Sequence, residues 1–313
     1  MATREVSWEF GLLGALLLLP LLLACHDQEY TPVSLKAPAS EVAARPNAPP
    51  PALIGMAPIL SARASAQGMA LLAEALSRPP GGLRVKPFLG SSYQEINNMV
   101  LFGQLDAAIV CTGAFSDPAF AHGARVLLVP QIWPGTSYYH ALIVVARSST
   151  FRRFHDLAGA SIAFTDPLSL TGCLYPLARV RSSGGDPHHF FGQIRFTHSH
   201  DRSLAMVASG LVQSASVDSA VFREWTGDHP REAQTLRILD QSPDFPAPPI
   251  VVPASLSPAR AEELSRAFVN LSASEAGRRT LAIMGWTGFA KPDATYLKRL
   301  AEVATMMESA HAP

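Results

Sequence analysis

From residue 53 onward the apolar positions switch repeatedly between two periods. In SAQGMALLAEALSR (65–78) they recur at helical spacing, and LRVKPFL (83–89) follows as a short strand. SSYQEINNMVLFG (91–103) reads as a helix: Ser92 and Glu95 have capping-box spacing, and Gly103 stands where a helix stops. LDAAIV (105–110) and YHALIVVA (139–146) read as strands, the second with the β-branched content of a buried position. LAGASIAFT (157–165) then runs into a turn rich in hydroxyls. Alternation of this kind predicts an α/β fold with largely parallel strands.

Two segments share a plan. MVLFGQLDAAIV (99–110) and MVASGLVQSASV (206–217) each place Met-Val on a helix, Gly three residues after the Val, and an apolar strand at the same offset. One helix opens on Ser92-Tyr93, the other on Ser199-His200-Asp201. The chain therefore reads as two lobes of the same construction. Open parallel sheets bind ligands beyond the carboxyl ends of their strands. That places a cleft at CTGAF (111–115), at DSAVF (218–222) and at the helix starts near Ser92, Thr171 and Ser199.

The stretch FTDPLSLTGCLYP (164–176) passes from a strand end through a Ser/Thr/Gly turn into a helix. Two readings fit it. Ser, Thr and Asp satisfy the free N–H groups that begin any helix. Those same N–H groups, with the helix dipole, also attract an anion.

At the N-terminus, GLLGALLLLPLLLAC (11–25) is an apolar run behind Arg4, short for a membrane span and ending in small residues as a secretory signal does. Its end, Leu22-Leu23-Ala24-Cys25, is similar to the lipobox of bacterial lipoproteins. That resemblance makes residues 1–25 a signal peptide ending at a lipidated Cys25 and anchors the remainder of the chain outside the cytoplasmic membrane. A plain cleaved signal and a retained signal anchor are the alternatives. Residues 26–51 are Pro/Ala/Ser-rich without apolar period and read as a flexible tether.

Composition adds exclusions. Lys and Arg number 25 against 25 Asp and Glu, and no basic run stands out, which argues against a nucleic-acid partner. Cys111 and Cys173, the cysteines of the body, read either as one disulfide or as two small buried residues. No CxxC pair and no zinc-spaced His/Cys cluster is present, so neither a metal nor a cofactor is expected.

Five stretches together resemble the phosphate/phosphite/phosphonate-binding family of periplasmic solute-binding proteins, the extracytoplasmic receptors of ABC importers. They are SSYQEINNMVLFGQLDAAIV, YYHALIVVARSSTFRRFHDLAGASIAFTDPLSLTG, FTHSHDRSLAMVASGLVQSASVDS, PPIVVPASLSPA and MGWTGFAKPDATY, in the family's order across nearly all of the chain after the tether. The resemblance implies an α/β, two-lobed, type II periplasmic-binding-protein-like fold with two hinge crossings. The chain would leave the first lobe (52–140) near Tyr139, build the second (141–246), and return near Pro248 to complete the first (247–313). A small phosphorus oxyanion would be held by Tyr93, Ser169, Thr171 and His200 and by backbone N–H groups around Gly172; Asp218, outside that pattern, reads either as a new acidic contact or as a charge that repels the anion. The implied partners are an ABC permease/ATPase complex and, through the anchor, the membrane; the implied state is a monomer. A sensor of the same fold feeding a membrane kinase, or a receptor for another small anion, is the alternative.

The chain departs from the family's pattern at several of these places. Phe115 stands where tyrosine is common, and Leu170 replaces the middle hydroxyl of the turn. Pro248 occupies the position of the acid that meets an aminoalkylphosphonate's ammonium, and Cys111 stands where glycine is usual, narrowing the cleft floor. A hydrolytic triad of Ser169, His200 and Asp201 or Asp218 is disfavoured, because no G-x-S-x-G elbow is present and capping or anion binding explains the hydroxyls. No P-loop or dinucleotide fingerprint appears. The protein is therefore read as a receptor and not an enzyme.

Overall fold

The computed structural model describes residues 50–78, 82–132 and 136–311. The apolar run, Cys25 and the tether up to residue 49 lie outside the described residues. The strands in chain order are β1 (Ala52–Met56), β2 (Val85–Leu89), β3 (Ala107–Ile109), β4 (Ala124–Gln131), β5 (Tyr138–Tyr139), β6 (Ala141–Ala146), β7 (Ser161–Phe164), β8 (Gln193–Phe196), β9 (Ser214–Asp218), β10 (Leu236–Gln241), β11 (Phe245–Pro246), β12 (Ile250–Pro253) and β13 (Gly288–Ala290). They form a six-stranded sheet of order β13-β4-β12-β3-β1-β2, a five-stranded sheet of order β10-β6-β9-β7-β8, and the two-stranded ribbon β11-β5. The α/β class holds, but the strands are not largely parallel. β1 pairs in parallel with β2 and β3, and β7 with β8 and β9, whereas β12 runs antiparallel to β3 and β6 antiparallel to β9. The reason is the crossing. β6 enters the second sheet from the ribbon strand β5, and β12 re-enters the first from β11, so each runs against its neighbours.

The two sheets repeat one plan: β2-β1-β3-β12-β4 matches β8-β7-β9-β6-β10. Helix Tyr93–Leu101 links β2 to β3, and helix His200–Ala208 links β8 to β9. Each helix ends on a glycine in the left-handed region, Gly103 (φ 64°) and Gly210 (φ 74°), where a side chain would be strained. The Met-Val…Gly repeat of the sequence is thus a helix, its left-handed stop and the next strand, twice over.

β6 shows why its sequence is continuously apolar. Ala141, Ile143 and Val145 join the main core, while Leu142 and Val144 pack in a second cluster with Leu204, Val207, Ala215, Val217 and Trp225. Side chains alternate across a strand, so a sheet covered on both faces needs apolar residues at every position. Each fully buried aliphatic side chain contributes about 1.5–3 kcal/mol, enough to fix the register of both sheets.

The lobes meet closely. Ser61 Oγ donates to Glu224 Oε1 at 3.0 Å, and Arg63 pairs with Glu224 at 3.3 Å and Asp228 at 2.5 Å. Deeper in, Tyr93 N–H points at Asp166 Oδ2 (3.5 Å) and Leu170 N–H donates to Cys111 Sγ (3.4 Å). At the crossing, Thr112 Oγ1 donates to the Pro246 carbonyl at 2.8 Å. Gly113 belongs to the same seam: a Cβ there would lie 2.5 Å from the Leu168 carbonyl oxygen of the second lobe.

Gly113→Ala should therefore oppose closure without emptying either core. The expected result is a larger radius of gyration by small-angle scattering and a melting temperature close to that of the unaltered protein. An unchanged radius would mean that the turn at Leu168 yields instead.

Candidate functional site

The site is built on the strand-to-helix passage after β7. Ser169 caps a wide helical turn, Leu170–Leu174, by accepting the Gly172 N–H on its Oγ at 3.0 Å. The turn is π-type: Cys173 and Leu174 both donate N–H to the Ser169 carbonyl, at 3.0 and 2.9 Å. Gly172 has no room for a side chain, since a Cβ would lie 2.5 Å from Thr165 Oγ1 and 2.8 Å from Ser169 Oγ. The Thr171 carbonyl accepts from Ser216 Oγ on β9, which ties the turn to the second sheet. The cap is therefore Ser169, and the Thr171 hydroxyl is not the group that performs it.

His200 opens the helix after β8 and is 2 % exposed. Its Nδ1 lies 3.0 Å from Thr165 Oγ1 and accepts the Asp218 N–H at 3.2 Å. Because a backbone N–H can only donate, Nδ1 is the unprotonated nitrogen and the ring proton sits on Nε2. Burial lowers the imidazole's pKa to about 4, against a smaller opposing pull from Asp201. His200 is thus a neutral hydrogen-bond donor at physiological pH and not a cation.

Asp218 ends β9 and caps the following helix, Ser219–Asp228, accepting N–H from Ala220 at 2.6 Å and Val221 at 3.2 Å on one oxygen, Oδ1. Burial raises its pKa to about 6, while those two N–H groups and Arg223 pull the other way. From the first lobe comes Tyr93, 1 % exposed, whose hydroxyl makes no hydrogen bond. Burial first and Cys111 second push the phenol's pKa well up; nearby Ser169 opposes, and Asp166 and Asp218 add to the rise. A buried hydroxyl left without a partner costs about 1–3 kcal/mol.

The six residues read from the sequence as ligand contacts, Tyr93, Ser169, Thr171, Gly172, His200 and Asp218, are all buried around this seam. Hydrogen bonds or close approaches link Gly172 to Ser169 and Thr165, Thr165 to His200, and His200 to Asp218. Two participants escaped the sequence reading. Thr165 orients His200, and Asp166 accepts the Leu168 N–H at 2.8 Å while facing the start of the Tyr93 helix. The Asp-Pro pair inside a hydroxyl-rich turn was the available signal for Asp166; nothing local marks Thr165. Cys111 and Cys173 are free thiols, both buried. Burial pushes each to about 12, so neither is a thiolate.

Two α/β lobes on one plan, crossed twice by the chain and joined along a seam of helix starts, define a type II periplasmic-binding-protein-like receptor. Comparison with known proteins narrows the class. Residues 54–297 match the family described as the periplasmic substrate-binding protein of phosphonate ABC transporters, and the chain belongs to that family. The phosphonates-binding periplasmic protein of Escherichia coli (strain K12) is 21% identical over 231 residues, covering 72% of this chain and 68% of that protein. The binding-protein component of a Pseudomonas aeruginosa ABC phosphonate transporter superposes with a TM-score of 0.73 at 21% identity, over 83% of this chain and 87% of that one. A Prochlorococcus marinus protein in complex with methylphosphonate gives 0.71 at 17% identity, over 81% and 97%. Among the described residues no helix is long and apolar enough to cross a membrane.

The opposed shifts of His200 and Asp218 predict a specific pH dependence. His200 binds a proton near pH 6.5 unfolded but only near 4 folded, so its contribution is lost as pH falls through that window. Asp218 takes its proton near 6 folded against 3.8 unfolded, so its contribution is lost as pH rises from about 4 to 6. The two offset in the unaltered protein. Relative to it, Asp218→Asn should lose on the order of 2–3 kcal/mol between pH 6.5 and 4, and His200→Gln should gain a similar amount. Denaturant unfolding at a series of pH values measures both, and matching slopes in all three proteins would contradict the assignment.

Proposed function

We propose that this protein captures a phosphonate, within the wider class of phosphorus oxyanions that includes phosphate and phosphite, and presents it to an ABC permease/ATPase complex. The observation that carries the reading is the Tyr93 hydroxyl, buried without a partner on a helix that starts at the seam with the second lobe. A ligand oxygen supplies the missing acceptor. It would meet Tyr93 from the first lobe and the Ser169 and Thr171 hydroxyls and the neutral His200 from the second, while the Gly172 N–H stays with Ser169 Oγ. These donors need no formal positive charge, because hydrogen bonds to an ionised acceptor are the strong ones. The near-complete burial of the seam without a ligand favours a compact head group and requires the lobes to part for entry. Binding then works by population shift: the closed form is favoured only as far as the ligand binds it better than the open one. A lipid on Cys25 would hold the receptor at the membrane as a monomer on its tether.

A thermal-shift screen of the mature chain with methylphosphonate, aminoethylphosphonate, phosphate, phosphite and sulfate tests the reading. A ligand at one hundred times its Kd should stabilise the fold by about 2.7 kcal/mol. With Pro248 in the returning segment, aminoethylphosphonate should bind no tighter than methylphosphonate. Silence toward all three phosphorus classes would overturn the proposal.

Thr171→Val removes a donor while keeping shape. Its affinity for the ligand found should fall by roughly ten- to a hundredfold, as for losing a hydrogen bond to a charged group. The unliganded melting temperature should barely move, since Ser169 provides the cap. A lowered melting temperature with unchanged affinity would return Thr171 to a structural role.

Cys25→Ala should shift the protein from the membrane to the soluble fraction or block its processing. Unchanged fractionation and cleavage would refute the anchor.

A further inference from the structure

The offset that carries Met99 to Met206 and Gly103 to Gly210 also carries Cys111 to Asp218. They stand at the carboxyl edge of matching central strands, Cys111 two residues beyond β3 and Asp218 at the last residue of β9. They are used differently. Asp218 turns back to cap its own helix. The Cys111 sulfur accepts the Leu170 N–H from the opposite lobe, at the first residue of the turn that faces the cleft. It is 4 % exposed, so the sulfur is closed in at the seam. Beside it, Gly113 lies so close to the turn that a Cβ would be 3.0 Å from the same Leu170 nitrogen. At the same seam the Tyr93 hydroxyl is buried and without a partner, which marks where a ligand acceptor belongs.

We propose that Cys111 is a specificity-determining residue that limits the size of the organic substituent a ligand can carry; this rests on the phosphonate reading above. A thiol is a weak acceptor, so a charged ligand oxygen readily outcompetes it for the Leu170 N–H. The sulfur's volume is harder to displace, because it is almost fully buried and Gly113 and Leu170 close the space beside it. The head group is therefore accepted, and a chain extending toward the floor of the cleft meets Cys111.

Calorimetry of the full mature chain with methyl-, ethyl- and propylphosphonate tests this. Propylphosphonate should bind at least about tenfold more weakly than methylphosphonate, the scale of an overpacked site. In Cys111→Ala the ratio should shrink to about threefold or less, chiefly through tighter binding of propylphosphonate. Cys111→Ser, smaller than cysteine yet still an acceptor, should fall between them and serves where the alanine variant fails to fold. If wild type and variants bind methylphosphonate but keep the same chain-length ratio, the role of Cys111 is overturned while the phosphonate reading stands. If none of them binds methylphosphonate, the phosphonate reading itself fails and this inference falls with it.

Discussion

A helix that follows a parallel strand has to begin at that strand's carboxyl end, and its first N–H groups have no partner within the helix. In this chain the rule acts twice over, because both sheets share one strand order. Helix starts at Ser61, Ser92, Ser169, Ser199 and Asp218 are consequently gathered on the carboxyl edges, and each is capped by its own side chain. Closing the lobes buries the groups that remain. Leu170 N–H finds a sulfur across the seam, Tyr93 N–H finds a carboxylate at the edge of hydrogen-bond reach, and the Tyr93 hydroxyl finds nothing. The seam is thus short of acceptors for its donors, which is the shortage the proposed oxyanion would meet.

The electrostatics around that shortage are restrained. His200 is held neutral by burial, with its lone pair turned toward the Asp218 N–H and its proton left on the other nitrogen. Asp218 spends an oxygen on two N–H groups of its helix, and Asp166 spends one on Leu168. Local N–H groups thus compensate part of the burial of these carboxylates, and Arg223 adds an opposing pull at Asp218. On the proposed reading such a site would hold its anion by hydrogen-bond geometry, which discriminates between oxyanions more sharply than charge does.

Much of this was legible in the sequence, and the limits of legibility have physical causes. The helix Tyr93–Leu101, its Ser92 cap and its Gly103 stop depend on neighbours a few residues apart, so local pattern found them. The repeat was visible because the helix, the left-handed glycine and the buried strand each restrict residue type at fixed offsets. The antiparallel course of β6 and β12 was not visible, since it follows from two crossings between lobes and leaves no mark on the strands themselves. For the same reason the contact of Cys111 with Leu170, 59 residues apart in the chain, lay beyond pattern reading. The role of Asp218 was half legible: its acidity was evident, but its use as a helix cap depends on the turn that follows β9.

The contacts that hold the lobes together are also suited to letting them part. Arg63 reaches two carboxylates, yet its side chain is 64% exposed and its partners 29% and 46%, so these pairs are each worth about 0–1 kcal/mol in water. The thiol contact is weak by its chemistry, and the Tyr93 N–H contact is long. Against these small gains stands the buried, unpartnered phenol, which costs about as much as they return. The polar contacts across the seam therefore add little net stability to closure. On the proposed reading, a ligand that satisfied this phenol would favour the closed form by as much as it bound that form better than the open one, and recognition would then be coupled to shape.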